Sequence, residues 1–184
     1  MKEMGTIELL TDRLILRKFK DEDALDMYNN WASDELTSRY VTWNTHKDVN
    51  ETKEVIRNWI DEYDVGGYNW IVELKDTHQP IGSITAVHIH RKDLNVEVGY
   101  CYGSSFWGKG YATEALRKVI EYLINDCGFY LVEAKHLSEN PASGRVMEKA
   151  GMHKEAVLRK RMINKVTNEL DDIVVYSVTK DELK

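Results

Sequence analysis

The residues best suited to chemistry form the run Gly103-Ser104-Ser105-Phe106-Trp107-Gly108-Lys109-Gly110-Tyr111-Ala112-Thr113. Gly108 and Gly110 carry no Cβ, so a ligand can approach the backbone closely there. An apolar helical stripe begins at Ala112. The first N–H groups of a helix lack partners inside it, and the helix dipole attracts an anion. Glycines at such a start predict a phosphate or pyrophosphate held by residues 107–113. Gly103-x4-Gly108-Lys109 approaches a nucleoside-triphosphate loop, but Gly110 stands where Ser or Thr should hold Mg²⁺. A G-x-G-x-x-G fingerprint is absent. A second polar group, Asn140 and Ser143, opens a short helix and reads equally well as caps or as ligands. His88 and His90 share a strand face with no third ligand at a telling spacing, which favours a solvated strand end over a metal. There is no Gly-x-Ser-x-Gly elbow and no obvious hydrolase triad.

These residues need a strand, a turn and a helix to position them. Val96, Val98, Tyr100 and Tyr102 share one parity, while Asn95, Glu97, Gly99 and Cys101 share the other, which is strand periodicity. Past the glycines, Ala112, Ala115, Leu116, Val119, Ile120, Leu123 and Ile124 recur at three- and four-residue spacings, the buried stripe of a helix about four turns long. The central strand and helix thus occupy 95–126.

Before them, 7–19 holds a strand at Arg13–Phe19 after the turn-like Thr11-Asp12. Asp21 is expected to cap a helix to about Trp31, with Ala24, Leu25 and Tyr28 at helical spacing. A short helix near Asp34–Tyr40 follows, then one from Asp48 through Tyr63 that ends at Gly66-Gly67. Strands near Tyr68–Leu74 and Pro80–His88 flank the polar turn Lys75–Gln79. After the centre come a strand at Leu131–Leu137, a helix at Ser143–Ala150, and a hairpin of His153–Ile163 with Leu170–Val178. No repeat, linker or low-complexity stretch interrupts the 184 residues, so one domain, 1–184, is expected. The mixed element order predicts an α/β (α+β) fold with helices on both sides of a central sheet.

Trp107-Gly108-Lys109-Gly110-Tyr111-Ala112 resembles the acetyl-CoA loop of the GNAT N-acetyltransferases, whose pattern is Gln/Arg-x-x-Gly-x-Gly/Ala. Gly110 and Ala112 fill its last two key places. Trp107 departs from the Gln/Arg, yet Trp-Gly-x-Gly-Tyr-Ala, like Thr11-Asp12-Arg13-Leu14-Ile15-Leu16-Arg17, resembles the RimJ/RimL-type branch. Asn140 to Met152 is similar to the family's Asn-x-x-Ser…Glu-Lys-x-Gly-Phe segment, and Val-Glu-Val-Gly-Tyr at 96–100 to its Glu-Ile-Gly-Tyr. The resemblance spans nearly the whole chain. It implies a mostly antiparallel mixed sheet that splays open where the arm of acetyl-CoA inserts. It also implies a pyrophosphate on Trp107, Gly108, Lys109, Gly110, Tyr111, Ala112 and Thr113, with the arm along Tyr100, Cys101, Tyr102, Asn140 and Ser143.

The same resemblance makes Glu97 the candidate base and an attractor of a cationic amine, against the plainer reading of a strand Glu paired with a nearby Lys or Arg. Many relatives carry a Tyr seven residues after the Asn as acid for the departing thiolate; Met147 stands there and cannot donate a proton. Ser143 is the alternative donor, although a thiolate whose conjugate acid has a pKa of roughly 8–9 needs little help. Tyr40 and Trp43 fall where the family places the acceptor. The implied activity is direct acetyl transfer to a primary amine, a protein N-terminus or a small molecule. A catalytically silent acyl-CoA-binding fold and a nucleotide-binding protein are the alternatives.

Composition bounds these readings. A net charge of −6 argues against nucleic-acid binding, and no apolar run approaches the ~18 residues of a membrane span. With no signal-peptide pattern and two isolated cysteines, the expected place is the cytoplasm, and a homodimer is the default assembly.

Overall fold

A computed structural model describes residues 4–183. Its eight strands, β1 (Leu9–Leu10), β2 (Leu14–Arg17), β3 (Asn69–Leu74), β4 (Pro80–His90), β5 (Asn95–Tyr102), β6 (Leu131–Leu137), β7 (His153–Asn164) and β8 (Glu169–Thr179), form one sheet in the order β1-β2-β3-β4-β5-β6-β8-β7. Every pairing is antiparallel except that of β5 with β6. That parallel pair is short. Asn95, Val96 and Glu97 lie opposite Leu131, Val132 and Glu133, and the two strands then diverge. β5 stays paired with β4 as far as Tyr102, and β6 with β8 as far as Leu137, so the sheet opens into a wedge.

Strand alternation sends side chains to two layers. On one face Trp70, Val72, Ile84, Val96, Val98, Tyr102 and Val132 pack under α4 (Tyr111–Glu121) and α5 (Pro141–Lys149). The predicted stripe of α4 carries this contact, with Ala115, Leu116, Val119 and Ile120 all buried. A wider turn at Tyr122–Asp126 continues the helix. On the other face Ile71 and Cys101 meet Phe19, Ala24, Met27, Trp31 and Ile56 from the early helices.

Those early helices depart from expectation in detail. The stretch α1 (Asp21–Ala32) begins as a tight turn at Asp21–Asp23, passes through Ala24–Met27 and widens at Tyr28–Ala32. Asp21 is not its cap. The backbone N–H of Lys20 donates to Asp23 Oδ2 at 2.8 Å, so the carboxylate one turn later closes the start. The buried face of this stretch carries Ala24, Met27 and Trp31, and Leu25 lies off it, 59% exposed. Then α2 (Glu35–Ser38) is capped by Asp34, and α3 (Val49–Glu62) by Asp48, which accepts from the Asn50 N–H at 2.7 Å. The left-handed Gly66, at φ 78°, ends that region as predicted.

Candidate active site

The wedge between β5 and β6 is the floor of a cleft of about 1470 Å³ that runs through the sheet from one helical layer to the other. All sequence-predicted site residues line it except Lys109, whose Nζ instead lies 5.6 Å from the centre of the Phe106 ring.

At the α4 end, Gly108 and Gly110 adopt left-handed φ values of 74° and 82°. A Cβ on Gly108 would meet nothing within 4 Å, so the space over the turn is open. Gly110 occupies the N-cap of α4, where no side chain caps the helix. The first amides of α4 therefore remain for a ligand. Trp107 explains its own departure from the family's Gln/Arg. Its indole N–H donates to the Tyr102 carbonyl at 2.7 Å, which ties the glycine turn to the last residue of β5. Asp34 holds the same turn from the other side, accepting the Ser104 N–H at 3.0 Å and the Thr37 hydroxyl at 2.8 Å. Burial works against the Asp34 anion, but these bonds and one from the Leu36 N–H outweigh it and hold its pKa down at about 2.

Sequence reasoning missed a clamp beside this turn. Glu114, in the first turn of α4, accepts the Thr11 hydroxyl at 2.6 Å and both the backbone N–H and the guanidinium Nε of Arg13, at 2.9 and 2.7 Å. The Arg13 guanidinium also donates to the Lys109 carbonyl at 3.0 Å and lies 4.6 Å from the centre of the Tyr111 ring. Burial opposes ionisation of Glu114, yet the Thr11 and Arg13 bonds prevail and lower its pKa. The Thr-x-Arg of the N-terminal segment thus fastens the β1–β2 turn to the helix whose N-terminus faces the cleft. Four more cations, Arg117 and Lys118 on α4 with Arg145 and Lys149 on α5, line the cleft at this end, on a chain that is acidic overall. Helical spacing alone could have grouped Arg145 with Lys149.

Near the middle, the Tyr100 hydroxyl stands 2.9 Å from Ser143 Oγ and 3.0 Å from the Ser143 carbonyl. This pair spans the opening between β5 and α5. Burial raises the Tyr100 pKa above its ordinary value, partly offset by Ser143, so the phenol stays protonated at neutral pH. Asn140 is the cap of α5, its Oδ1 accepting the Ser143 N–H at 3.3 Å. Ser143 sits within the first helical turn and is not a cap. Met147 is buried in the core, so nothing at that place reaches the cleft as an acid. Gly144 is required by packing, since a Cβ there would lie 2.7 Å from His136 Nε2.

On the opposite face lies Glu97, whose Oε2 accepts from Lys135 Nζ at 2.8 Å; Glu133 Oε1 holds the same ammonium at 2.9 Å. Burial would lower the Lys135 pKa, but the two carboxylates raise it. Two anions and one cation leave this spot with a net negative charge. Cys101 shares this face, 3.4 Å from Ser83 Oγ, and burial lifts its thiol to about 11. Its side chain packs with the early-helix layer, whereas those of Tyr100 and Tyr102 pack with the α4–α5 layer. Beyond it, Tyr40 and Trp43 line the cleft with Trp59, while Trp31 and Trp70 are fully buried core residues.

Comparison with known proteins agrees with this architecture. The acetyltransferase (GNAT) domain family matches residues 13–153. The uncharacterized N-acetyltransferase YoaA of Bacillus subtilis (strain 168) is 33% identical over 173 residues, covering 94% of this chain and 96% of that protein. Two solved structures share the fold. RimL, a ribosomal L7/L12 alpha-N-protein acetyltransferase in complex with coenzyme A, superposes with a TM-score of 0.84 at 15% identity, covering 95% of this chain and 98% of its own. The microcin C7 self-immunity acetyltransferase MccE, in complex with acetyl-CoA and AMP, does so with a TM-score of 0.81 at 21% identity over 92% and 93% of the two chains. With the glycine turn, the split sheet and a family match across most of its length, this chain belongs to the GNAT family of N-acetyltransferases.

Proposed function

We propose that this protein transfers the acetyl group of acetyl-CoA to a primary amine by direct attack within a ternary complex. The observation that carries the reading is the continuous cleft through the wedge, with an uncapped helix N-terminus and cations on one face and a net negative site on the other. The residues fit acetyl-CoA: the open space over Gly108 and the free first turn of α4 suit its pyrophosphate, and Arg117, Lys118, Arg145 and Lys149 suit its remaining negative charge. When bound, acetyl-CoA supplies an activated thioester carbonyl and a thiolate leaving group.

The chain supplies position and proton handling. Beyond Glu97 the β5 edge has no β6 partner, so its backbone amides are available to polarise a carbonyl. The Tyr100–Ser143 pair offers hydroxyl protons at the opening, in the role that Met147 cannot fill. Glu97 accepts the proton of the incoming ammonium, directly or through water, and Lys135 holds its carboxylate in place. Glu97→Gln is expected to lower kcat/KM at neutral pH by about 10²-fold with acetyl-CoA affinity unchanged. The deficit should shrink as pH rises toward about 9, because the acceptor then arrives already deprotonated. Coenzyme A release measured against pH for both proteins tests this. Overlaid profiles would remove Glu97 from the reaction, and no release with any amine would leave a silent acyl-CoA-binding fold.

A further inference from the structure

The acceptor half of the cleft is built mainly from apolar and aromatic side chains. Met27 of α1, Trp43 of the α2–α3 loop and Val55 and Trp59 of α3 form one wall, and Met162 of β7 and Ile173 of β8 line the other side. This wall is held firmly. Trp59 packs on Phe19 with ring centres 4.7 Å apart, and Trp43 lies 5.4 Å from the His46 ring. Burial lowers the His46 pKa against the opposing pull of Glu51, and its Nδ1 is 2.8 Å from Thr52 Oγ1.

The charged side chains around this half are each oriented by a hydrogen bond to a neutral group. Glu62 accepts from Asn69 at 2.7 Å, Glu139 from Asn164 at 3.3 Å, and Lys165 donates to the Trp43 carbonyl. This last bond joins the β7–β8 turn to the α2–α3 loop across the cleft, so the two together roof the apolar chamber. Toward the wedge, the Glu97–Lys135–Glu133 group carries a net negative charge.

We infer that the acceptor is a primary amine carrying one bulky apolar group, of aromatic size, beside the amino nitrogen. This rests on the acetyl-transfer reading and specifies its second substrate. The amine faces Glu97, and the apolar group enters the chamber between Trp43, Trp59 and Met162. Polyamines and aminoglycosides carry several cations along their length and would bring them against a mainly apolar wall, where the two lining carboxylates, Glu62 and Glu139, are turned to Asn69 and Asn164. Placing such a cation in an apolar chamber is costly unless it is paired.

The test compares kcat/KM, with saturating acetyl-CoA, for 2-phenylethylamine, ethylamine, spermidine, kanamycin and a short peptide amide with Phe at its free N-terminus. Tryptophan fluorescence, followed while 2-phenylethylamine is titrated into the coenzyme A-bound protein, reads the chamber independently of transfer. The inference expects 2-phenylethylamine to exceed ethylamine by at least about tenfold, the scale on which a pocket reads buried hydrocarbon. Trp59→Ala should bring that ratio toward unity; if circular dichroism shows it misfolded, Val55→Asn makes the same test from α3. The peptide arm then says whether the apolar amine is a free small molecule or a chain terminus. Spermidine or kanamycin used as well as 2-phenylethylamine would overturn the inference and leave acetyl transfer standing. Absence of transfer with saturable, Trp59-dependent fluorescence would sink the enzymatic reading and keep the chamber's chemistry. Absence of both overturns the two together.

Discussion

Trp107 shows how one side chain can replace a family residue by changing what it holds. A Gln or Arg at its place could face a ligand, whereas the indole N–H turns inward to the Tyr102 carbonyl and makes the loop part of β5. Asp34 does the complementary work with a charge, and that charge predicts a pH dependence. Its folded pKa of about 2 lies below the ordinary 3.8, so its stabilisation is complete above about 3.8 and is lost as pH falls through about 2. Asp34→Ala should cost about 1 kcal/mol near neutrality, the scale of a lost N-cap. Urea denaturation of both proteins between pH 6 and pH 2.5 should show the gap closing toward the acid end; a constant gap would mean the Ser104 and Thr37 bonds do not depend on the ionised carboxylate. Alternation sets the Cys101 side chain apart from those of Tyr100 and Tyr102, although all three residues line the cleft. The plainer reading of Glu97, a strand Glu paired with a nearby Lys or Arg, is met by Lys135, which lies 38 positions away on β6 and is not legible from local spacing.

At the scale of elements, the strand–turn–helix unit was the most legible part of the chain because each of its signals is local. Period two runs to Tyr102, glycines break it, and a stripe with helical spacing begins at Ala112. The clamp on α4 could not be read in the same way. Arg13 and Glu114 lie 101 positions apart, and no periodicity couples residues that meet only after the sheet has formed. The misplaced start of α1 has a similar cause: three acidic residues follow one another at 21–23, and tertiary packing chose Asp23, which also binds Arg17 at 2.8 Å. The unit predicts its own perturbation. Gly110→Val puts a β-branched residue at a φ of 82°, its Cβ 3.4 Å from the Arg13 guanidinium at the start of α4. Coenzyme A affinity should fall about tenfold or more by calorimetry, while the far-ultraviolet circular dichroism spectrum keeps its shape, since Gly110 lies outside the buried stripe. Unchanged affinity in a folded variant would take the pyrophosphate off this turn.

Over the whole molecule, helices on both faces and a split mixed sheet were expected, and the wedge opens where the resemblance implied. Its consequence reaches beyond binding. Strands β1 to β5 form one antiparallel run and β6, β8 and β7 another, and the parallel register joining them ends at Glu97 and Glu133. The sheet is thus two plates meeting along a short seam, and the free energy of opening should be lowest there. Hydrogen–deuterium exchange gives this a time axis. Amides of 98–101 that face the wedge should exchange well before those bonded to β4, and coenzyme A should slow the first set far more than the second. Uniform protection along β5 in the free protein would mean that the plates move as one. If instead the seam breathes, ligand occupancy becomes a mechanical property of this chain: a filled cleft acts as the missing rungs of the ladder, and resistance to unfolding rises with the concentration of the molecule it is built to consume.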